Sequence, residues 1–326
     1  MADPVLSYID EARTRVDDAL SRLVTQTDPG RLYDPVRHVL EAPGKRFRPL
    51  LTLAAAEMYD GNPDAALHAA LSMEIFHTFT LVHDDIMDRS PERRGRPTVH
   101  VLWDEPTAIL CGDYLMGLAV EELLHMPVQR LPEVMRRFTH AVRVLCEGQI
   151  RDMEFEERDD VSLQEYLSMI EQKTSALLQT SLVMGGLSGT ASRQDLDVLD
   201  ATGYHLGRAF QIQDDLLDLT ADDARWGKPI GGDLVSGKNA FLILKALELT
   251  SGSDRDWFLR VLKGGLDPAE VVEARNRMDS AGVLEAARKA VIFHTDTAQE
   301  HIQSLPTGRG RDVLQSLAFR MQRRVH

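Results

Sequence analysis

Apolar residues recur at three- and four-residue spacing along almost the whole chain, and that pattern alone restricts the fold to helices. Leu-, Ala- and Met-rich stretches dominate, while the alternation and β-branched clustering that mark strands are nearly absent. Helix-start chemistry agrees. Asn62-Pro63-Asp64 puts a cap and a first-turn proline ahead of a helix over 65–88. Ser162-Leu163-Gln164-Glu165 spells a capping box for a helix running to about 185. Asp267-Pro268-Ala269-Glu270 combines a cap, a first-turn proline and a glutamate. Further helices are predicted over 5–25, 47–59, 107–126, 132–156, 195–219, 239–250, 254–263, 282–303 and 309–324. No Pro/Ser-rich linker or composition shift divides the 326 residues, so the sequence predicts one all-α domain over 1–326.

Against 37 Lys and Arg stand 51 Asp and Glu, a formal net charge of −14. Such a balance argues against a general nucleic-acid binder or a polybasic membrane anchor, and leaves room for a local basic pocket. No window approaches roughly 18 uninterrupted apolar residues, so no transmembrane helix is expected. The acidic start, Met1 to Glu11, has no signal-peptide pattern, which predicts a cytoplasmic location. Cys111 and Cys146 lack metal-site spacing and read as reduced thiols.

Two aspartate clusters concentrate the charge. His83-Asp84-Asp85-Ile86-Met87-Asp88 ends an apolar helix, with Asp84 and Asp88 on one face and Asp85 beside them. Gln211-Ile212-Gln213-Asp214-Asp215-Leu216-Leu217-Asp218 repeats the spacing. Carboxylates crowded in this way repel one another unless a cation sits between them, and hard oxygen ligands suit Mg²⁺ or Mn²⁺ bridging to phosphate. One such cluster reads as a solvated helix end; two, each fused to an apolar helix, read as a site.

The basic residues form glycine-punctuated groups of their own. Pro43-Gly44-Lys45-Arg46-Phe47-Arg48-Pro49 precedes one helix, and Arg93-Arg94-Gly95-Arg96 follows the first aspartate cluster. Lys173-Thr174 lies mid-helix, while Lys228 and Lys238 sit in the Gly/Pro/Lys-rich stretch 220–238, which reads as a loop over a site. Taken singly, Arg46 or Arg96 reads as a solvated surface residue. Taken together, the groups point to phosphate recognition, arginine as a bidentate fork and lysine as a point charge.

In this order these motifs resemble the polyprenyl synthetase family of trans-isoprenyl diphosphate synthases, which includes the farnesyl and geranylgeranyl diphosphate synthases. The resemblance runs from Gly44-Lys45-Arg46-x-Arg48-Pro49 through Glu74-x-x-His77, both aspartate clusters and Arg93-Arg94-Gly95. Gly148-Gln149, Lys173-Thr174, Gly207-x-x-Phe210-Gln211, Gly227-Lys228, Asp233 and Lys238 complete it. It implies a single large helical bundle around a deep central cavity, normally a homodimer. It further implies a trinuclear Mg²⁺ cluster on Asp84, Asp88 and Asp214, with Asp85, Asp215 and Asp218 as ligands or close support. Arg93, Lys173, Lys228 and Lys238 would hold the allylic diphosphate, and Lys45, Arg48, His77 and Arg94 isopentenyl diphosphate. Thr174 and Gln211 are expected near the developing carbocation.

The sequence departs from the family pattern where many relatives continue Lys-x-Thr, since here the run is Lys238-Asn239-Ala240. The first cluster also lacks the two-residue insertion of bacterial farnesyl-type enzymes. In the family the residues four and five before the first cluster form the cavity floor; here they are Thr80 and Phe79. One aromatic without an insertion favours a geranylgeranyl (C20) product over the alternative, farnesyl (C15). Phe79 is rotated away from Asp84 on an ideal helix, so its assignment rests on the resemblance. The rival readings are an HD-type metal-dependent phosphohydrolase using His77 and His83-Asp84, a terpene cyclase and a catalytically silent partner subunit. None of them needs the second aspartate cluster together with every basic group.

Overall fold

The computed structural model describes residues 3–221 and 230–322, so Gly227 and Lys228 lie outside the described residues. In chain order it contains α1 (Pro4–Arg22), α2 (Gly30–Leu40), α3 (Phe47–Met58) and α4 (Pro63–Met87), then a two-residue-stranded hairpin of β1 (Glu92–Arg93) and β2 (Arg96–Pro97). There follow α5 (Val99–Leu102), α6 (Glu105–Leu123), α7 (Leu131–Glu156), α8 (Leu163–Ile170), a π-helical turn (Glu171–Ser175), α9 (Ala176–Leu187) and α10 (Arg193–Thr220). Beyond the undescribed stretch come α11 (Gly232–Val235), α12 (Phe241–Leu249), α13 (Gly252–Gly264), α14 (Val271–Ser280), α15 (Val283–Ser304) and α16 (Arg309–Gln322). The all-α reading holds.

The described residues form two compact units. Unit 1 draws on Met1–Thr139, Thr180–Asp200 and Gln303–Leu317, and unit 2 on His140–Gln179, Ala201–Ile302 and Ala318–His326. In unit 1, α4 packs on α3 and α6. Its cap is the one expected: Asn62 Oδ1 accepts the N–H groups of Asp64 and Ala65. α4 is long and apolar enough to cross a membrane by composition, yet 72% of that apolar window is buried inside the protein. A helix apolar on every side is a core helix when its neighbours cover it.

The sequence reading missed α2, because Pro35 sits inside it and forfeits a helical hydrogen bond. Burial of Pro35, Val36 and Leu40 holds the helix in place despite that loss. In unit 2, Phe155, Ile170, Leu216, Phe241, Phe258 and Met278 belong to one core. The helix expected over 162–185 begins with its capping box at Ser162 but widens into the π turn before continuing as α9. Asp267 caps a 3₁₀ turn (Pro268–Glu270), and α14 starts only at Val271.

Candidate functional site

The first aspartate cluster lies where α4 ends. Asp88 is the capping residue just after the last turn; its backbone is still helical and its N–H donates to the Asp84 carbonyl at 2.8 Å, which keeps the two on one face as the spacing predicted. Asp84 is half-buried and Asp88 exposed, but Asp85 is buried. Arg93 Nε reaches Asp85 Oδ1 at 2.7 Å. Burial pushes the Asp85 carboxyl up, and the Arg93 guanidinium counters this. Asp85 therefore anchors the hairpin.

The hairpin turns on Arg94 (φ 55°) and Gly95 (φ 73°), the two positive φ values that a tight two-residue connection requires. Thr98 Oγ1 ties its base to the Ser90 carbonyl at 2.8 Å. The turn carries Arg94 to the 43–48 segment, where Arg94 Nη1 donates to the Pro43 carbonyl at 3.0 Å. Gly44 makes room for it, since a Cβ there would lie 2.7 Å from Arg94 Nη1.

Neighbouring residues of this segment have opposite fates. Lys45 is exposed and Arg48 half-buried, but Arg46 is only 5% exposed, which corrects its reading as a surface residue. Arg46 pairs with buried Glu74 at 2.8 Å and Asp17 at 2.6 Å, and donates to the carbonyls of Leu40 and Ala42. His77 lies close to Arg48, Arg94, Arg93 and Arg46; burial first, then these guanidinium groups, holds it neutral well below the usual imidazole range.

A cavity of about 50 Å³ in unit 1 is lined by Glu74, His77, Thr78, Leu81, Val82 and Asp85 of α4, with Arg93, Arg94 and Arg96 of the hairpin and His38 of α2. His38 is a lining residue that the sequence reading missed along with α2. Its Nε2 lies 3.1 Å from the Pro97 carbonyl and its Nδ1 2.7 Å from Arg96 Nη2. A carbonyl only accepts and a guanidinium only donates, so Nε2 carries the proton. Burial keeps the imidazole neutral. Arg96, read as a surface residue, is thus half-buried and bonded.

Phe79 and Thr80 are not among the residues lining that cavity. Thr80 is buried, with its hydroxyl donating to the His77 carbonyl, and Phe79 packs between Phe76 and His83 at ring distances of 5.9 and 4.7 Å. His83 rests on α6, its Nε2 3.3 Å from the Ile109 carbonyl, in space that only a glycine at 112 leaves free. This packing role argues against the metal-binding His-Asp pair of a phosphohydrolase.

In unit 2 the π turn presents Lys173 and Thr174. It fits because glycines flank it: a Cβ at Gly148 would lie 2.7 Å from Lys173 N, and one at Gly207 would lie 2.4 Å from Ser175 Cα. The motif glycines here serve close backbone approach. Lys173 forms an ion pair with Asp152 of α7, which the sequence reading did not single out.

A cavity of about 190 Å³ gathers Lys173, Thr174, Gln211, Asp215, Asp233 and Lys238, with Tyr166, Asp152 and Ala240. Asp215 is buried, and both its oxygens are engaged. Tyr166 Oη (2.5 Å) and Phe241 N–H (2.9 Å) donate to Oδ2, and Gln211 Nε2 (3.0 Å) donates to Oδ1. Burial and nearby Asp233 push its carboxyl up to about 7 against the pull of those donors. Asp215 is therefore a structural acceptor. Asp218 also holds backbone: its Oδ2 accepts the Asp233 N–H at 3.2 Å, and its carbonyl accepts that of Gly231. Asp214, like Asp218, is half-buried. At the position where a hydroxyl was in doubt, Ala240 is buried, and Asn239 instead bonds the carbonyls of Phe155 and Arg158.

Among the described residues, no three His, Cys, Asp or Glu side chains converge into a metal cage. Mg²⁺ commonly takes one or two carboxylates, keeps waters and completes its shell with phosphate oxygens. Asp84, Asp88 and Asp214 have the donor chemistry for such an ion.

Residues 29–278 match the family model described as polyprenyl synthetase. The chain is 37% identical over 325 residues to a short chain isoprenyl diphosphate synthase of Methanothermobacter thermautotrophicus, covering 99% of this chain and 98% of that one. It is 36% identical to a geranylfarnesyl diphosphate synthase of Natronomonas pharaonis, covering 97% of each. The crystal structure of a geranylgeranyl pyrophosphate synthetase from Pyrococcus horikoshii superposes with a TM-score of 0.90 at 35% identity, over 98% of both chains.

Proposed function

Because the chain belongs to the polyprenyl synthetase family, we propose that it is a Mg²⁺-dependent trans-prenyltransferase condensing isopentenyl diphosphate with allylic diphosphates, with geranylgeranyl diphosphate as its main product. The observation that carries this reading is the unit 2 cavity, where lysine cations and a bonded pair of side-chain oxygens line one space. Ionisation of an allylic C–O bond leaves negative charge on diphosphate and positive charge on carbon. Lys173 and Lys238, with Arg93 and Lys228, stabilise the first; the Thr174 and Gln211 oxygens face the second. Asp84, Asp88 and Asp214 would hold Mg²⁺, three ions being expected, and the metal would supply Lewis-acid stabilisation of the leaving group, a role Mn²⁺ also fits. The isopentenyl double bond then forms the new C–C bond, and a proton leaves to the released pyrophosphate. No nucleophilic side chain is needed. Lys45, Arg48, His77 and Arg94 hold isopentenyl diphosphate, neutral His77 adding a hydrogen bond among the cations.

Mass spectrometry of products from dimethylallyl and isopentenyl diphosphates with Mg²⁺ tests the reading. A C20 diphosphate is expected. A C15 product corrects the chain length, and release of inorganic phosphate from nucleotides with no prenyl product overturns the reaction. Relatives matched along nearly their full length support reading 1–326 as a single polyprenyl synthetase domain. Exposed Val101, Leu102, Ile109 and Leu110 on α5 and α6 support a homodimer, which a monomeric mass in light scattering would contradict.

Product length rests on Phe79. Five residues of helix put it about 7.5 Å below Asp84 along α4, far enough for a tail whose head is held at the cluster. Phe79→Ala is expected to shift the main product to C25 or longer, and Thr80→Phe to shorten it toward C15. If Phe79 only packs on Phe76 and His83, its removal costs on the order of 3 kcal/mol and leaves the products unchanged. Chromatography of dephosphorylated products beside the melting curve separates the two.

The two diphosphate pockets separate kinetically. Lys45→Ala or Arg48→Ala should chiefly raise KM for isopentenyl diphosphate, and Lys173→Ala should impair the allylic substrate. Equal effects of all three variants on both substrates would contradict the assignment.

A further inference from the structure

We propose that Tyr166 is a positioning residue for the condensation: its hydroxyl, through Asp215, sets the orientation of the Gln211 amide and so aims the Thr174–Gln211 oxygen pair into the unit 2 cavity. The inference rests on the prenyltransferase reading and extends it to a residue outside the sequence motifs.

The four side chains form one chain of hydrogen bonds. Tyr166 on α8 is only 3% exposed, and its hydroxyl donates to Asp215 Oδ2 at 2.5 Å. Gln211, one turn before Asp215 on α10, donates its Nε2 to the other carboxylate oxygen at 3.0 Å. Its Oε1 then accepts from Thr174 Oγ1 at 3.2 Å. All four residues line the cavity that also holds Lys173 and Lys238.

An amide has one donating and one accepting end, and its neighbours decide which way it points. Asp215 meets three donors, those of Tyr166, Phe241 and Gln211, and so acts in this network purely as an acceptor. A flipped Gln211 would set its oxygen against a carboxylate oxygen and turn the Thr174 hydroxyl from donor into acceptor. With Gln211 fixed, the Thr174 hydroxyl proton is committed to Oε1, and its lone pairs are left for the cavity. Two oxygen dipoles held in place before the reaction stabilise a carbocation better than two that must reorient. Tyr166 on α8 and the Phe241 N–H both reach Asp215 Oδ2 from outside α10, and Tyr166 is the side chain of the two. Together with the Phe241 N–H it restrains the Asp215 carboxylate from rotating about its own side chain and carrying Gln211 with it.

The test is a double-mutant cycle read by kinetics and by product partition. Tyr166→Phe keeps the ring and removes only the hydroxyl. It should leave KM for both substrates within about threefold, lower kcat at least tenfold, and raise the share of allylic substrate released as free alcohol. That alcohol forms when water, instead of isopentenyl diphosphate, bonds to the cation and its proton passes to solvent. In a Gln211→Met background, Tyr166→Phe should lower kcat by less than twofold, because the group it positions is gone. Should Tyr166→Phe fail to fold, Asp215→Asn in both backgrounds asks the same question, since asparagine keeps the shape and removes the pure acceptor. Wild-type kcat in Tyr166→Phe, or full multiplication of its effect with that of Gln211→Met, overturns the proposal. Absence of any prenyl product from the unmutated protein instead overturns the prenyltransferase reading on which it rests.

Discussion

Asp84→Ala and Asp214→Ala are each expected to lower kcat by at least ~100-fold, about 2.7 kcal/mol of barrier. Excess EDTA should abolish turnover, and added Mg²⁺ should restore it. The size follows from what these carboxylates do: without them nothing holds the cations against the departing diphosphate, and charge building on the leaving group goes uncompensated. Neither residue is buried, so each alanine variant should fold, and losing one of several crowded carboxylates relieves repulsion. Asp85→Ala should behave differently. It strands the Arg93 guanidinium and loosens the hairpin, so its cost should appear in the melting curve as well as in kcat. Full activity in chelator, or in either the Asp84 or Asp214 variant, would falsify the metal assignment.

Arg46→Ala should destabilise the protein by roughly 3–5 kcal/mol, because it leaves the Glu74 carboxylate buried with its partner gone. For a chain of this size that corresponds to a fall in Tm on the order of 10 °C. Lys45→Ala, one residue away but exposed, should stay within about 0.5 kcal/mol. The double variant Arg46→Met/Glu74→Leu should recover much of the loss, since an apolar pair of similar volume carries no desolvation cost. Thermal melts of the four proteins decide the matter. An unchanged Tm in Arg46→Ala would mean that Glu74 finds another partner or takes up a proton at little cost.

The contrast between Lys45 and Arg46 marks where sequence reading stops. What the sequence determined by itself rests on interactions between near neighbours in the chain. Apolar spacing at i+3 and i+4 specified the helices, and the Asn62 and Ser162 caps specified where two of them begin. Asp84, Asp88, Lys173, Thr174 and Gln211 were singled out because motif order implies a family, and a family implies roles. Partners distant in sequence left no such trace. Nothing in Asp84-Asp85 distinguishes the half-exposed carboxylate from the one that Arg93 holds from the hairpin, and nothing in Asp214-Asp215 shows that Tyr166 and Phe241 occupy the second. α2 was hidden because a local rule, proline as helix breaker, is overridden by the burial of Pro35 and its neighbours. The π turn was hidden because its cause lies in Gly148 and Gly207, which let other helices approach its backbone. Local free energies are written in the order of residues. That Asp85 holds Arg93, and that Asp215 holds Tyr166, Phe241 and Gln211, was decided only when the tertiary structure brought distant donors to those oxygens.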